Sequence, residues 1–366
     1  MNAVTKEKIT SSQVTIAVAS FIISDGFIVT AKSAAETVGT PDVWLSLLAG
    51  GILCLLLAYL QAKLSQAYPE KTYFEYSQHI AGKAIGYVCS FLFIIYLIMI
   101  TGHELRSQAE FIRHNLLDET PIEVTMAAFL LIGVYLILGG INPLVRMQEL
   151  LFPFTIIVIL LVFVFGMKDF HLYYLRPVLS EGIGPVLRGI KTTPFAYLGF
   201  ETILILTAFM AEPQKAVRTV VSGLTISIVL YVLNGAILVG VLTEREVMTL
   251  TWPLMEFTRS IEFPGGFFEN FEILFFIIWL IRFFSTFALA YYFGCLGISQ
   301  LFNLRIEYIV LAMIPLIFWI GISGKDIDAV FAFAENLGYY GIIVSGIVPV
   351  LLYVIHLLKD RVADET

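Results

Sequence analysis

The sequence predicts an all-α membrane protein of ten transmembrane helices, a 5+5 inverted repeat with broken helices 1 and 6. Three observations carry this expectation. Of the 366 residues, 58% are hydrophobic, and 27 glycines bring the apolar share to roughly 65%, against about 45–50% in a soluble domain. Only 14% are charged and the mean hydropathy is +0.88, too apolar for a fold that needs a polar skin. Apolar runs of span length recur along the whole chain, and two of them carry helix breakers at matching positions. The composition excludes a soluble enzyme, a disordered tail and a nucleic-acid binder. A net charge of −7 argues against any polyanionic partner.

The spans fall near 12–35, 42–66, 85–112, 122–140, 145–166, 190–211, 217–242, 270–298, 305–323 and 337–358. Ten spans of about 22 residues would take roughly 220 residues, so the chain reads as one transmembrane domain over 1–366. Its first repeat covers about 12–166 and its second about 190–358. Lys6 and Lys8 precede an apolar run that continues past Ala35, so a first span is a better reading than a signal peptide. An even number of spans puts both termini on one side. That side receives eleven Lys and Arg against eight on the other, which predicts cytoplasmic termini.

Span 1 is interrupted by Ser24-Asp25-Gly26, three poor helix formers at its centre. Span 6 carries Pro194, which lacks a backbone donor, and Gly199, which permits unusual dihedrals. Either interruption alone reads as a kink. The matched pair reads as a midplane site, because interrupted segments at equivalent positions mark binding sites in inverted-repeat transporters. The freed N–H and C=O groups cannot face hydrocarbon and must meet ligand, water or protein. Half-helix N-termini suit a carboxylate and half-helix C-termini an ammonium, as in an amino acid or another small polar solute.

Span 3 carries the densest polar stripe: Tyr96, His103, Ser107, Glu110 and His114 share one helical face, flanked by Glu104 and Gln108. Tyr96, His103 and Glu104 lie near mid-depth and suit a cavity. Glu110, Arg113 and His114 read as the wet outer end of the helix. The larger segments 167–189 and 243–269 fall on the side opposite the termini. The second, with Glu244, Glu246, Trp252, Met255, Phe257, Arg259 and Ile261, suits an amphipathic interfacial stretch.

Seven charges fall inside spans: Asp25, Lys32, Glu104, Arg106, Glu110, Glu201 and Arg282. A charge at mid-membrane costs several kcal/mol, so such residues face the bundle interior and mark pathways or pairs. Arg282 in span 8 needs a carboxylate, and Asp25, Glu104 and Glu201 all qualify. Together His103, Glu104, Arg106, Glu201 and Arg282 form the expected charge network of the cavity.

Other motifs fail. Cys54, Cys89 and Cys295 are far apart in apolar runs and read as small core residues. His103-Glu104 is no HExxH metal motif, since position 107 is Ser. Gly182-Ile183-Gly184-Pro185 is no dinucleotide loop, and no nucleophile elbow exists. No enzyme activity, cofactor or metal is expected.

Several stretches resemble the B subunit of GerA-type spore germinant receptors, the spore germination permease-like family within the amino acid–polyamine–organocation (LeuT/APC-like) superfamily. These are Thr40-Pro41-Asp42, Tyr68-Pro69, Phe74-Glu75-Tyr76 and Glu104-Leu105-Arg106-Ser107-Gln108-Ala109-Glu110. Further on come Thr120-Pro121, Leu175-Arg176-Pro177-Val178-Leu179, Leu198-Gly199-Phe200-Glu201, Trp252-Pro253 and Leu337-Gly338-Tyr339. The resemblance implies a nutrient sensor in the inner membrane of the spore, working with A and C subunits. It implies a ligand pocket of Ser24, Asp25 and Gly26 in the first break, Tyr96 and Ile100, Leu198 and Gly199, and Thr286 with Ala290. Asp25 departs from the small uncharged residues expected there. It suggests a different ligand, a salt bridge to Arg282, or recognition of an ammonium group. Two other functions stay open: a proton-coupled amino acid permease using Glu104 or Glu201, and a scaffold subunit with a vestigial site.

Overall fold

The structure, a computed structural model, describes residues 8–261 and 271–364. In chain order the first helices are α1 (Ser11–Ile22), α2 (Asp25–Val38), α3 (Val43–Ala67), α4 (Tyr73–Ala81) and α5 (Lys83–Asn115). There follow α6 (Ile122–Ile137), α7 (Ile141–Gly166), α8 (Gly184–Gly189), α9 (Thr193–Tyr197), α10 (Ile203–Leu206) and α11 (Ala216–Thr249). The last are α12 (Pro253–Ser260), α13 (Phe271–Phe302), α14 (Ile306–Ile322), α15 (Ile327–Gly341) and α16 (Val348–Asp364). A π-helical stretch, Ile342–Ile347, joins α15 to α16 into one long apolar rod.

Among the described residues six rods are long and apolar enough to cross a membrane: Val43–Ala67, Lys83–Asn115, Ile141–Asp169, Pro213–Thr249, Phe271–Phe302 and Ile327–Lys359. Helices α6 and α14 are apolar but shorter, at 16 and 17 residues. Outward-facing Leu131, Tyr135, Leu150, Val164 and Trp319 are largely exposed, as side chains in contact with lipid would be. This is a multi-pass membrane protein.

The two interrupted runs are sharply bent. Helices α1 and α2 meet at 47°, and the segments Gly184–Tyr197 and Phe200–Phe209 at 44°. A capping box starts α1: Thr10 Oγ1 accepts from the Gln13 amide and Gln13 Oε1 accepts from the Thr10 amide. Just before it, Ile9 pairs with the end of the second bent run. The Ile9 amide donates to Phe209 O at 2.8 Å, and the Ala211 amide to Ile9 O at 2.9 Å. The first run therefore begins at the level where the second ends, so the two cross the molecule in opposite directions. Helices α3, α5, α11 and α13 pack around this crossed pair.

Differences from the expected spans have local causes. The last rod starts at Ile327, ten residues before the expected 337, because Asp326 caps it with Oδ1 accepting from the Ala329 amide at 2.9 Å. Asp328, Glu335 and Asn336 dilute the hydropathy of those ten residues and hide them. The span expected at 217–242 runs from α11's start to Thr243, where φ of 70° breaks the helix. Residue 270, the expected first residue of span 8, lies outside the described residues, as do 262–269 of the expected interfacial segment. The described part of that segment is the end of α11 followed by α12, and the apolar face there meets protein: Trp252, Met255 and Phe257 are buried beneath α2, α7, α11 and α13. Cys54 and Cys295 are buried, whereas Cys89 is half-buried.

Helix α11 also holds the first break in place. Tyr231 Oη donates to Ile22 O at 3.1 Å and Asn234 Nδ2 to Phe27 O at 3.0 Å. Tyr231→Phe leaves the Ile22 carbonyl buried without that donor and is expected to lower stability by about 1–3 kcal/mol. Thermal unfolding of the detergent-solubilised protein reads this. An unchanged midpoint would show that the carbonyl is served by another group.

Candidate ligand site at the helix breaks

At the first break α1 ends at Ile22, and Ser24 adopts φ −134°, ψ −130° before α2 begins at Asp25. The freed carbonyls at the end of α1 are taken up by hydroxyls: Tyr231 serves Ile22 O, and Thr286 Oγ1 donates to Phe21 O at 3.2 Å. Ser24 Oγ donates to Glu104 Oε2 at 2.9 Å. Gly26 is required by space, since a Cβ there would come within 2.8 Å of Tyr231 Oη.

At the second break Leu198 (φ −57°, ψ 136°) leaves the helix and Gly199 sits at φ +133°, which L side chains rarely adopt. Its amide donates to Glu201 Oε2 at 2.6 Å, while Tyr96 Oη donates to Glu201 Oε1 at 2.7 Å. Glu201 thus caps its own broken segment with a buried carboxylate. A Cβ on Gly199 would lie 2.7 Å from Ile22 Cγ1 and 2.8 Å from Phe21 Cδ1, so the two breaks touch.

Between them lies a cavity of about 20 Å³, room for little more than one water. Ser24, Gly26, Ile100, His103, Glu104, Leu198 and Thr286 line it, with Phe21, Ile22 and Phe195, which sequence reasoning did not single out. The signal for these three was adjacency: Phe21 and Ile22 precede the first break and Phe195 follows Pro194. Tyr96, Gly199 and Ala290 are buried but stand behind the lining. Asp25 faces away from the cavity. His103 Nε2 lies 2.8 Å from its Oδ2, and Ser107 Oγ donates to the same oxygen at 3.2 Å.

The buried charges form separate groups. Arg106 turns from the cavity to Glu110, with Nε and Nη2 at 3.0 and 2.7 Å from Oε1, and Nη1 donates to Gly321 O at 3.3 Å. Glu110 is buried and also accepts from Arg113 at 2.6 Å, so it belongs to a packed network tying α5 to α14 and is no wet helix end. Arg282, wholly buried, pairs with none of Asp25, Glu104 or Glu201. Its Nη1 donates to Ser20 Oγ at 3.0 Å and its Nη2 to Ser285 Oγ at 2.7 Å, while Nε has no partner among the described residues. The guanidinium stitches α1 to α13 beside the first break.

Two crossed, bent helical runs enclosed by long apolar rods define an all-helical membrane protein with the fold of the LeuT class. MhsT, solved in complex with L-phenylalanine, superposes with a TM-score of 0.68 over 96% of this chain and 99% of its own, at 11% identity. That likeness fixes the fold alone. The family described as "Spore germination protein" matches residues 8–330. Spore germination protein YndE of Bacillus subtilis (strain 168) is 35% identical over 97% of this chain and 98% of its own length. Spore germination protein A2 of the same organism is 31% identical over 95% of each. The chain belongs to the spore germination permease-like family.

Arg282 carries a desolvation cost of several kcal/mol, and two neutral hydroxyls offset little of it. Arg282→Met, similar in volume, is therefore expected to leave stability unchanged or raise it by about 1–4 kcal/mol. A lowered thermal midpoint in detergent would show instead that the guanidinium holds α1 and α13 together at a net gain.

Proposed function

We propose that this chain is the nutrient-sensing membrane subunit of a spore germinant receptor. It binds a small polar nutrient, an amino acid or a sugar-like molecule, near mid-membrane and triggers germination through A and C subunits in the inner membrane of the spore. The observation that carries this reading is the convergence of both helix breaks on one small cavity lined from α5 and α13. The reading places ten spans in a 5+5 inverted repeat, about 12–166 and 190–358, with both termini cytoplasmic, and assigns the chain no catalytic step.

The cavity is smaller than any amino acid, so binding requires the breaks to move apart. A ligand shifts such a two-state element only by the difference in its affinity for the two states. That suits a sensor, whose output is the shift itself, passed to partners packed on the outer helices. The same geometry favours a second reading. A protein sharing its fold with MhsT, with Glu104 and Glu201 buried at the breaks, is also built as a proton-coupled amino acid permease.

Leu198→Trp puts a side chain larger than the free space of the cavity into it and blocks it. In spores carrying the otherwise intact receptor, the concentration of amino acid or sugar needed for half-maximal germination is expected to rise about tenfold or more, each factor of ten being about 1.4 kcal/mol of lost binding. An unchanged dose–response would refute the placement. Uptake of the same solute, radiolabelled, by proteoliposomes holding the chain separates the two readings: gradient-driven accumulation overturns the sensor, and binding without accumulation overturns the permease.

A further inference from the structure

A second and larger cavity, of about 320 Å³, lies beyond the first break, between α2, the turn leading into α9, and α15. It opens at the end of the molecule away from Ile9. Its walls bring together four acidic side chains, Asp25, Glu36, Asp328 and Glu335, against two basic ones, Lys32 and Lys191. The acids come from two helices distant in sequence, Asp25 and Glu36 from α2 and Asp328 and Glu335 from α15.

Asp25 forms the floor. It is 2% exposed, and both of its hydrogen bonds, from His103 and Ser107, end on Oδ2. No described residue bonds Oδ1, and Asp25 lines the opening, so that oxygen is left to the cavity. A buried carboxylate with a free oxygen is a strong acceptor for a charge-assisted hydrogen bond. Phe195, Phe331 and Tyr339 supply ring surface around it. Lys32 Nζ already lies 5.6 Å from the Phe331 ring centre, so that wall accepts cations.

Phe195 lines both this vestibule and the 20 Å³ cavity, and its ring meets the edge of His103 at 5.3 Å. Phe195 and the bonded Asp25–His103 pair therefore stand between the two spaces. The chain's own carboxylates already stand at the start of both resumed helices, Asp25 in α2 and Glu201 on the Gly199 amide. The Gly199 amide is thus taken and a negative side chain stands in the first turn of α2, both against a solute's carboxylate, while a free acceptor for a positive group remains.

We propose that the vestibule is a binding site for small organic ammonium ions, with the ammonium group on Asp25 Oδ1. A zwitterion is admitted by its amine, its carboxylate facing Lys32 or Lys191, and a simple carboxylate is excluded. The site is distinct from the central cavity and does not depend on the nutrient-sensing reading.

The test is protection from thiol labelling, on the full chain in lipid nanodiscs. Ser33→Cys is introduced on the vestibule wall in a Cys89→Ser background, the other two cysteines being buried. A hydrophilic maleimide labels the introduced thiol, and propylammonium, propionate and potassium chloride at equal concentration compete. Propylammonium is expected to slow labelling about tenfold, with no slowing by propionate or potassium. Asp25→Asn is expected to raise the half-protecting concentration about tenfold or more. Unprotected labelling of Ser33→Cys in that variant shows that the vestibule is still formed. Thr37→Cys serves as a second reporter where labelling of the first perturbs the site.

Absence of labelling, equal slowing by potassium, or protection that survives Asp25→Asn would each overturn the proposal. Protection abolished by Leu198→Trp would overturn it too, because the amine would then be reading the central cavity, and that outcome would leave the central site standing. Protection that persists in Leu198→Trp supports the outer site whatever becomes of the central one.

Discussion

A helix interrupted inside hydrocarbon leaves backbone N–H and C=O groups that have no water to bond, and each left alone costs several kcal/mol. The arrangement around both breaks follows from meeting that demand. The carbonyls of Phe21 and Ile22 are taken by Thr286 from α13 and Tyr231 from α11, and the amide of Gly199 by Glu201, which Tyr96 of α5 holds in place. Three long rods are thereby fixed against the crossed pair by polar side chains. Those rods are apolar along most of their length, and in lipid such polar contacts supply the direction that apolar packing lacks.

The electrostatic character of the centre follows from the same demand. Glu201 caps its own segment and Asp25 lies in the first turn of α2, so both resumed helices start beside a carboxylate of the chain itself. Glu104, bonded by Ser24, adds a third carboxylate nearby. A solute arriving here must displace or join contacts that already exist. Binding and rearrangement are then one event, the condition under which a closed cavity of about 20 Å³ still serves recognition.

What the sequence disclosed, it disclosed through local chemistry. Ser24-Asp25-Gly26 and Pro194 with Gly199 mark their breaks whatever surrounds them, since the cost of holding these residues in a helix is intrinsic. The lining residues Ile100, Leu198 and Thr286 came from resemblance, and the structure brings them to one small space. Partners were less legible, because a side chain's partner depends on tertiary packing. Glu110 looked like a wet helix end and is buried against Arg106, which lies one turn away on its own helix. Arg282 looked in need of a carboxylate and is held by two serines. Tyr231 and Asn234, which anchor the first break, stand three residues apart in a run otherwise apolar enough to read as simple span. That spacing, polar groups on one face of an apolar helix, was the available signal.

The short helix α9 joins these features. It spans five residues, with a 3₁₀ turn before it and an unwound Leu198-Gly199 after it, so few intrahelical bonds hold its orientation. On one side its Phe195 divides the central cavity from the vestibule; on others it packs against α2, α3 and α15. A displacement of Phe195 large enough to admit a solute to the centre must therefore shift α9 against those three helices. Helix α15 runs without a break through the π-helical stretch into α16, and α3 is a single uninterrupted rod. In the proposed sensor, movement of α9 would reach α3 and α15, the two long rods it packs against.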